Sequence, residues 1–131
     1  MKYLLDTNIC IYIINERPKQ VLEHFDRLKI TEIGVSSITV AELAFGVAKS
    51  RSARNRAALE SFLLPLEIAE FDLSAAFAYG DLRAELERRG EPIGPLDLKI
   101  AAQALSLKTI LVTNNEREFR KVPGLTLENW A

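Results

Sequence analysis

Short apolar runs of strand character alternate with longer helical patterns along this chain, and that alternation constrains its fold more than any other feature. It is the signature of strand-helix-strand units and a parallel sheet. Strands are expected at Tyr3-Leu4-Leu5, Ile33-Gly34-Val35-Ser36, Ile68-Ala69-Glu70-Phe71, Thr109-Ile110-Leu111-Val112-Thr113 and Leu125 to Leu127. The fourth, rich in β-branched residues, is the clearest. Between them the spacing predicts helices over Ile9 to Ile14, from Pro18 through Leu28, and from a Ser36-Ser37 cap through Val40, Leu43, Ala44 and Val47. Further helices are expected from Ser52 to Leu64, where Pro65 stops the pattern, and from a Ser74 cap to Arg89, with Gly90 as terminator. Gly94-Pro95 breaks the chain before a helix from Leu96 to Leu107, which begins near Asp97, and a short helix covers Glu116 to Arg120. With 131 residues the chain suits a single domain, 1-131, around one core.

The 17 basic and 18 acidic residues leave a net charge of -1, so no global positive field marks a nucleic-acid partner and any such contact must use local patches. Cys10 is the only cysteine and lies in an apolar helical run, where a buried structural thiol is expected and no internal disulfide can form. No stretch resembles a signal peptide or a membrane span, and cytoplasmic residence is the default expectation. His24, the only histidine, sits in the charged stretch Glu23-His24-Phe25-Asp26-Arg27 and reads as a solvated helix-face residue, which gives zinc chemistry no support.

Asp6 follows the first strand directly and opens the next helix. That edge of an open α/β sheet, outside the carboxyl ends of its strands, is where ligands bind. Helix capping is a second, compatible role, since Asp, Thr and Asn all make good caps. Asn114 and Asn115 follow the fourth strand, Asp97 opens the helix before it, and Glu42 lies one to two turns into the helix after the second strand. If the first, second and fourth strands are neighbours, these residues share one acidic cleft. Gathered carboxylates repel and are costly to desolvate unless a cation offsets them. Oxygen ligands without Cys or His favour Mg²⁺ or Mn²⁺, ions that keep several waters and suit phosphate-bearing substrates. Cations to grip such a substrate are available at Arg83, Arg88 and Arg89 on the long helix, Lys99 beside Asp97, and Arg117, Arg120 and Lys121 after the fourth strand.

Leu5-Asp6-Thr7-Asn8, Ser36-Ser37-Ile38-Thr39-Val40-Ala41-Glu42-Leu43, Ile93-Gly94-Pro95-Leu96-Asp97 with Ile100-Ala101-Ala102, and Leu111-Val112-Thr113-Asn114-Asn115-Glu116-Arg117-Glu118-Phe119 occur in that order. With Val122-Pro123-Gly124-Leu125 and Glu128-Asn129-Trp130 they make the chain resemble, over essentially its whole length, the PIN domain ribonucleases and among them the VapC toxins of toxin-antitoxin pairs. The resemblance implies a three-layer α/β/α sandwich with a central parallel sheet of four to five strands. It implies a magnesium-dependent endoribonuclease in which Mn²⁺ substitutes, acting on structured RNA such as transfer RNA. Asp6, Glu42 and Asp97 match the family's first three acidic positions, with Asp6 and Asp97 as metal ligands, Glu42 as general base or water-orienting group, and Thr7 and Asn8 in support. Where many PIN domains carry a fourth acid this chain has Asn115, and Glu118, one turn into the short helix, either faces the cleft or holds a metal-bound water, or else is an exposed helix carboxylate paired with a nearby Arg. A cognate VapB-type antitoxin and a homodimer or larger assembly are implied as partners. The helices over Ile9 to Ile14 and Thr39 to Val47, apolar nearly all round, offer more surface than one core uses, as a partner groove would. An antitoxin arginine reaching the acids would displace or mimic the metal.

Other classes fit less well. A phosphotransferase of the haloacid dehalogenase kind needs a second aspartate where Asn8 stands, and a phospho-acceptor receiver domain lacks its paired acids here, although Asp72 follows the third strand. A catalytically silent PIN-like module that only binds RNA or protein remains the alternative, kept open by Asn115.

Overall fold

The computed structural model describes residues 1-131 and places a parallel sheet of five strands at the centre, in the order β3-β2-β1-β4-β5. These are β1 (Tyr3–Leu5), β2 (Ile33–Ser36), β3 (Glu67–Ala69), β4 (Ile110–Val112) and β5 (Leu127–Glu128). Seven helices surround them: α1 (Thr7–Ile14), α2 (Lys19–Arg27), α3 (Ser37–Ser50), α4 (Ala53–Leu63), α5 (Leu73–Arg88), α6 (Pro95–Leu107) and α7 (Glu116–Phe119). The first, second and fourth strands are neighbours, as the cleft requires: Leu5 pairs with Val35 on one side and Val112 on the other.

Successive strand residues point to opposite faces, so both faces must be covered for every residue of β1 to be buried, as all three are. Tyr3, Leu5, Val35 and Val112 join Ile9, Cys10, Leu43 and Leu59 on the face covered by α1 to α4. Leu4 and Leu111 join Leu86, Ile100 and Phe119 on the face covered by α5 to α7. The result is the expected α/β/α sandwich. Near the C-terminus Trp130, 2% exposed, seals the first face: Tyr3 meets it edge-on at 5.8 Å between ring centroids, and His24 stacks on it at 5.5 Å. His24 is therefore exposed but not simply solvated.

Several boundaries differ from the sequence expectation. The third strand lies earlier, at Glu67–Ala69, and the last one later, at Leu127–Glu128. In α5 the cap is Asp72, whose carboxylate accepts the Ala75 N–H at 3.0 Å, so the helix starts before Ser74. Asp6 caps α1, which therefore begins at Thr7 rather than Ile9. A 3₁₀ turn at Ile30–Glu32 was not anticipated. Pro95, whose missing N–H costs nothing at a first helical position, starts α6 and so puts Asp97 in its first turn.

Candidate metal centre

Asp6 is 6% exposed and its side chain is fixed from two sides. One carboxylate oxygen accepts the Thr7 N–H and the other accepts the Thr113 hydroxyl, each at 2.8 Å. The Asp6 N–H donates to the Val112 carbonyl at 2.8 Å, tying the end of β1 to β4. Thr113 in turn accepts the Asn115 N–H at 3.0 Å. Burial raises the Asp6 pKa above the usual carboxylate range, and the bonds from Thr113 and Thr7 act against that rise.

Asp97 is half-buried across the cleft from Asp6. Burial, then the negative charges of Asp6 and of Glu118, raise its pKa as well. Glu42, half-buried on α3, completes the acidic lining. The cleft has a volume of about 210 Å³ and is walled by Asp6, Thr7, Asn8, Ile38, Glu42, Leu96, Asp97, Ile100 and Asn115. The side chains around it are cross-linked: Asn8 donates to Asn114 at 3.4 Å, Asn114 donates to the Tyr12 hydroxyl at 2.8 Å, and Thr7 donates to Thr39 at 3.5 Å.

Six of the residues expected at the site thus meet in one cleft. Glu118 does not line it; its carboxylate pairs with Lys121 at 3.1 Å, while its charge still acts on Asp97. None of the expected RNA-gripping cations lines it either. Arg88 and Arg89 both pair with Glu85 at 2.8 Å, Arg83 pairs with Glu87 at 3.4 Å, and Arg120 lies 3.9 Å from Glu116. Lys99 and Arg117 make no ion pair. Thr113 is the site residue that sequence reasoning missed. Its β-branched side chain read as strand propensity, whereas the pairing of Leu5 with Val112 sets the residue just after β4 beside Asp6.

No group of three or more Asp, Glu, His or Cys side chains closes around one point. The donor set nevertheless suits a hard divalent cation, because Asp6, Glu42 and Asp97 form no ion pair and face one another with no cationic side chain in the cleft. Mg²⁺ is usually held by only one or two carboxylates, with waters and substrate phosphates filling the rest of its shell.

The PIN domain family model matches residues 3–125. Ribonuclease VapC2 of Rickettsia felis is 47% identical over 99% of this chain and 98% of its own length. The tRNA(fMet)-specific endonuclease VapC of Salmonella typhimurium is 44% identical over 100% of this chain and 99% of its own. Among solved structures, VapBC2 from Rickettsia felis bound to a promoter DNA fragment superposes with a TM-score of 0.92 at 46% identity, covering 100% of both chains. DNA-bound VapBC from Salmonella typhimurium also gives 0.92, at 42% identity and 100% and 99% coverage. A parallel α/β/α domain is the architecture these chains share. The chain belongs to the PIN domain family, within its VapC ribonucleases, and PIN domain nucleases work with a divalent cation.

Proposed function

We propose that residues 1-131 act as one domain, the endoribonuclease toxin of a toxin-antitoxin pair, hydrolysing phosphodiester bonds in structured RNA with Mg²⁺, for which Mn²⁺ substitutes. The observation that carries this reading is the meeting of Asp6, Glu42 and Asp97 in one cleft with no countercharge. When bound, the cation makes water more acidic and offsets charge on the phosphate oxygens. Asp6 and Asp97 hold it; Thr7 and Thr113 orient Asp6. Glu42 takes the proton from the attacking water or orients that water, and Asn8 and Asn115 shape the rim. Glu118 contributes its charge through Asp97, with Lys121 as its neutralising partner. Arg83, Arg89, Lys99 and Arg117 grip the RNA backbone beyond the cleft. Transfer RNA is the proposed substrate class, supported by the name of the Salmonella relative. The activity is assigned to the cytoplasm, where that substrate is found; no helix is long and apolar enough to cross a membrane.

The partner is a VapB-type antitoxin, supported by the VapBC assemblies in which similar chains were solved. A groove of about 850 Å³ between α1, α3 and α4, lined by Ile11, Ile14, Leu43, Val47 and Leu59, suits an apolar segment of such a partner. Thr7 and Glu42 wall both this groove and the acid cleft, so a segment lying in the groove ends beside the acids, where an arginine can take the cation's place. A second copy of the chain has its own surface. Leu73 and Phe77, one turn apart on α5, are 73% and 68% exposed. Phe77→Asp is expected to convert a homodimer into monomer in light scattering, and an unchanged mass overturns this use of α5.

Purified protein is expected to cut transfer RNA with Mg²⁺ or Mn²⁺ and to stop when EDTA is added. Absence of cleavage with either ion overturns the enzyme reading in favour of a binding-only module. Thermal unfolding gives a second check. Both Asp6 and Asp97 have pKa values raised above their unfolded ones, so their contribution to cation-free stability is full at acid pH and is lost as pH rises through the raised values. Mg²⁺ binds the ionised pair, so its stabilisation, about 2.7 kcal/mol at a hundredfold excess over Kd, appears above those values and vanishes below them.

A further inference from the structure

A second cleft, of about 300 Å³, opens on the opposite side of the first turn of α6 from the acids. Pro95 and Leu98 face it, whereas Leu96, Asp97 and Ile100 face the acid cleft. The two are thus separated by about one helix diameter, ~10 Å. Its remaining walls are Tyr79 and Arg83, one turn apart on α5, Leu86 and Glu87 on the same helix, and the Pro92-Ile93 connection. We propose that this cleft is a subsite for an unpaired nucleotide of the RNA strand, next to the phosphate being cut, with Tyr79 stacking on the base and Arg83 meeting its phosphate. The inference rests on the endoribonuclease reading above and extends it.

Three observations support that occupant. Aromatic rings and guanidinium planes are the surfaces on which splayed RNA bases stack, and here both stand side by side over an apolar floor. Arg83 is held in place by donating to the Tyr79 hydroxyl at 3.1 Å and to Glu87 at 3.4 Å. A guanidinium has five N–H donors, so three of them stay available to a phosphate. The opposite wall is also fixed, because Lys121 donates to the Pro92 carbonyl at 3.5 Å while pairing with Glu118, whose charge reaches Asp97.

The test is an abasic walk. A fluorescein-labelled stem-loop oligoribonucleotide, with a single abasic residue placed in turn at each loop position, is titrated with the full chain in EDTA and followed by anisotropy. For the parent, one position is expected to lose about tenfold in affinity when its base is removed. Tyr79→Ala is expected to abolish that penalty, Tyr79→Phe to keep it, and Arg83→Ala to lower the salt slope by about 0.7. The subsite is overturned if no position carries a penalty or if the penalty survives in Tyr79→Ala. It is also overturned, in favour of a protein partner, if the variants lose antitoxin and keep RNA. Cleavage of the unmodified oligonucleotide with Mg²⁺ is measured alongside. Cleavage without base coupling removes the subsite alone; base coupling without cleavage removes the nuclease reading and leaves the subsite standing.

Discussion

Asp6→Asn and Asp97→Asn are each expected to lower Mg²⁺-dependent RNA cleavage about 10³-fold while leaving the fold intact. A divalent cation contributes several kcal/mol of charge stabilisation to phosphodiester hydrolysis, and each 1.36 kcal/mol lost is tenfold in rate. Folding survives because asparagine is as good a cap as aspartate. In Asp6→Asn the side-chain oxygen still accepts the Thr7 N–H, and the Thr113 hydroxyl can turn to accept from the new amide. The substitution also removes a buried charge whose ionisation burial disfavours. The cation-free variant should therefore melt no lower than the parent at neutral pH, and the two should diverge less as pH falls and Asp6 of the parent takes up its proton. The Mg²⁺-dependent rise in melting temperature should disappear in both Asn variants. Glu42→Gln should keep that rise and still lose about 10²-fold or more in rate, as removal of a general base does. Parental cleavage rates in Asp6→Asn or Asp97→Asn would mean that these acids do not hold the cation.

The three central acids were legible because their positions are set by chain topology. A carboxylate directly after a central strand, one in the first turn of the helix feeding the neighbouring strand, and one in the helix after the other neighbour must converge once that sheet order holds. What escaped the sequence depends on cross-strand register or on competing caps. Thr113 is a strand residue by propensity and becomes the partner of Asp6 only through the pairing of β4 with β1. Asp72 and Ser74 are both competent caps, and only the backbone bond from Ala75 decides between them. The last strand was misplaced because its register is fixed from the neighbour: the Leu111 N–H donates to Thr126 and the Thr113 N–H to Glu128, which leaves Leu125 outside the ladder. The pairing of Glu85 with both Arg88 and Arg89 was written in the three- and four-residue spacing.

Gln103→Leu is expected to cost about 2–5 kcal/mol of stability, a large share of the 5–15 kcal/mol typical of a domain. Gln103 is 1% exposed, and its amide joins three elements. It accepts the Ser36 hydroxyl at the end of β2 and donates to the Ala69 carbonyl at 2.9 Å and the Glu70 carbonyl at 3.0 Å at the end of β3. Leucine fills nearly the same volume, so the cost comes from stranded polar groups rather than a cavity. The Ser36 hydroxyl proton and the buried Ala69 carbonyl lose their partners, each at about 1–3 kcal/mol. Gln103→Glu separates charge from shape. A neutral carboxyl can donate to only one of the two carbonyls and an ionised one to neither, and burial raises its pKa, so this variant should lose least at acid pH and lose further stability as pH rises through that raised value. The midpoint of urea unfolding measures both effects, and a parental midpoint for Gln103→Leu would show that the amide does not clamp the sheet to α6. The clamp also reaches the site. Gln103 lies six residues beyond Asp97 on the same helix, about 9 Å along its axis. A helix released from β2 and β3 shifts Asp97 relative to Asp6, whose position is fixed independently by Thr7 and Thr113. Gln103→Leu should therefore weaken Mg²⁺ binding in titrations under conditions where the variant is still fully folded.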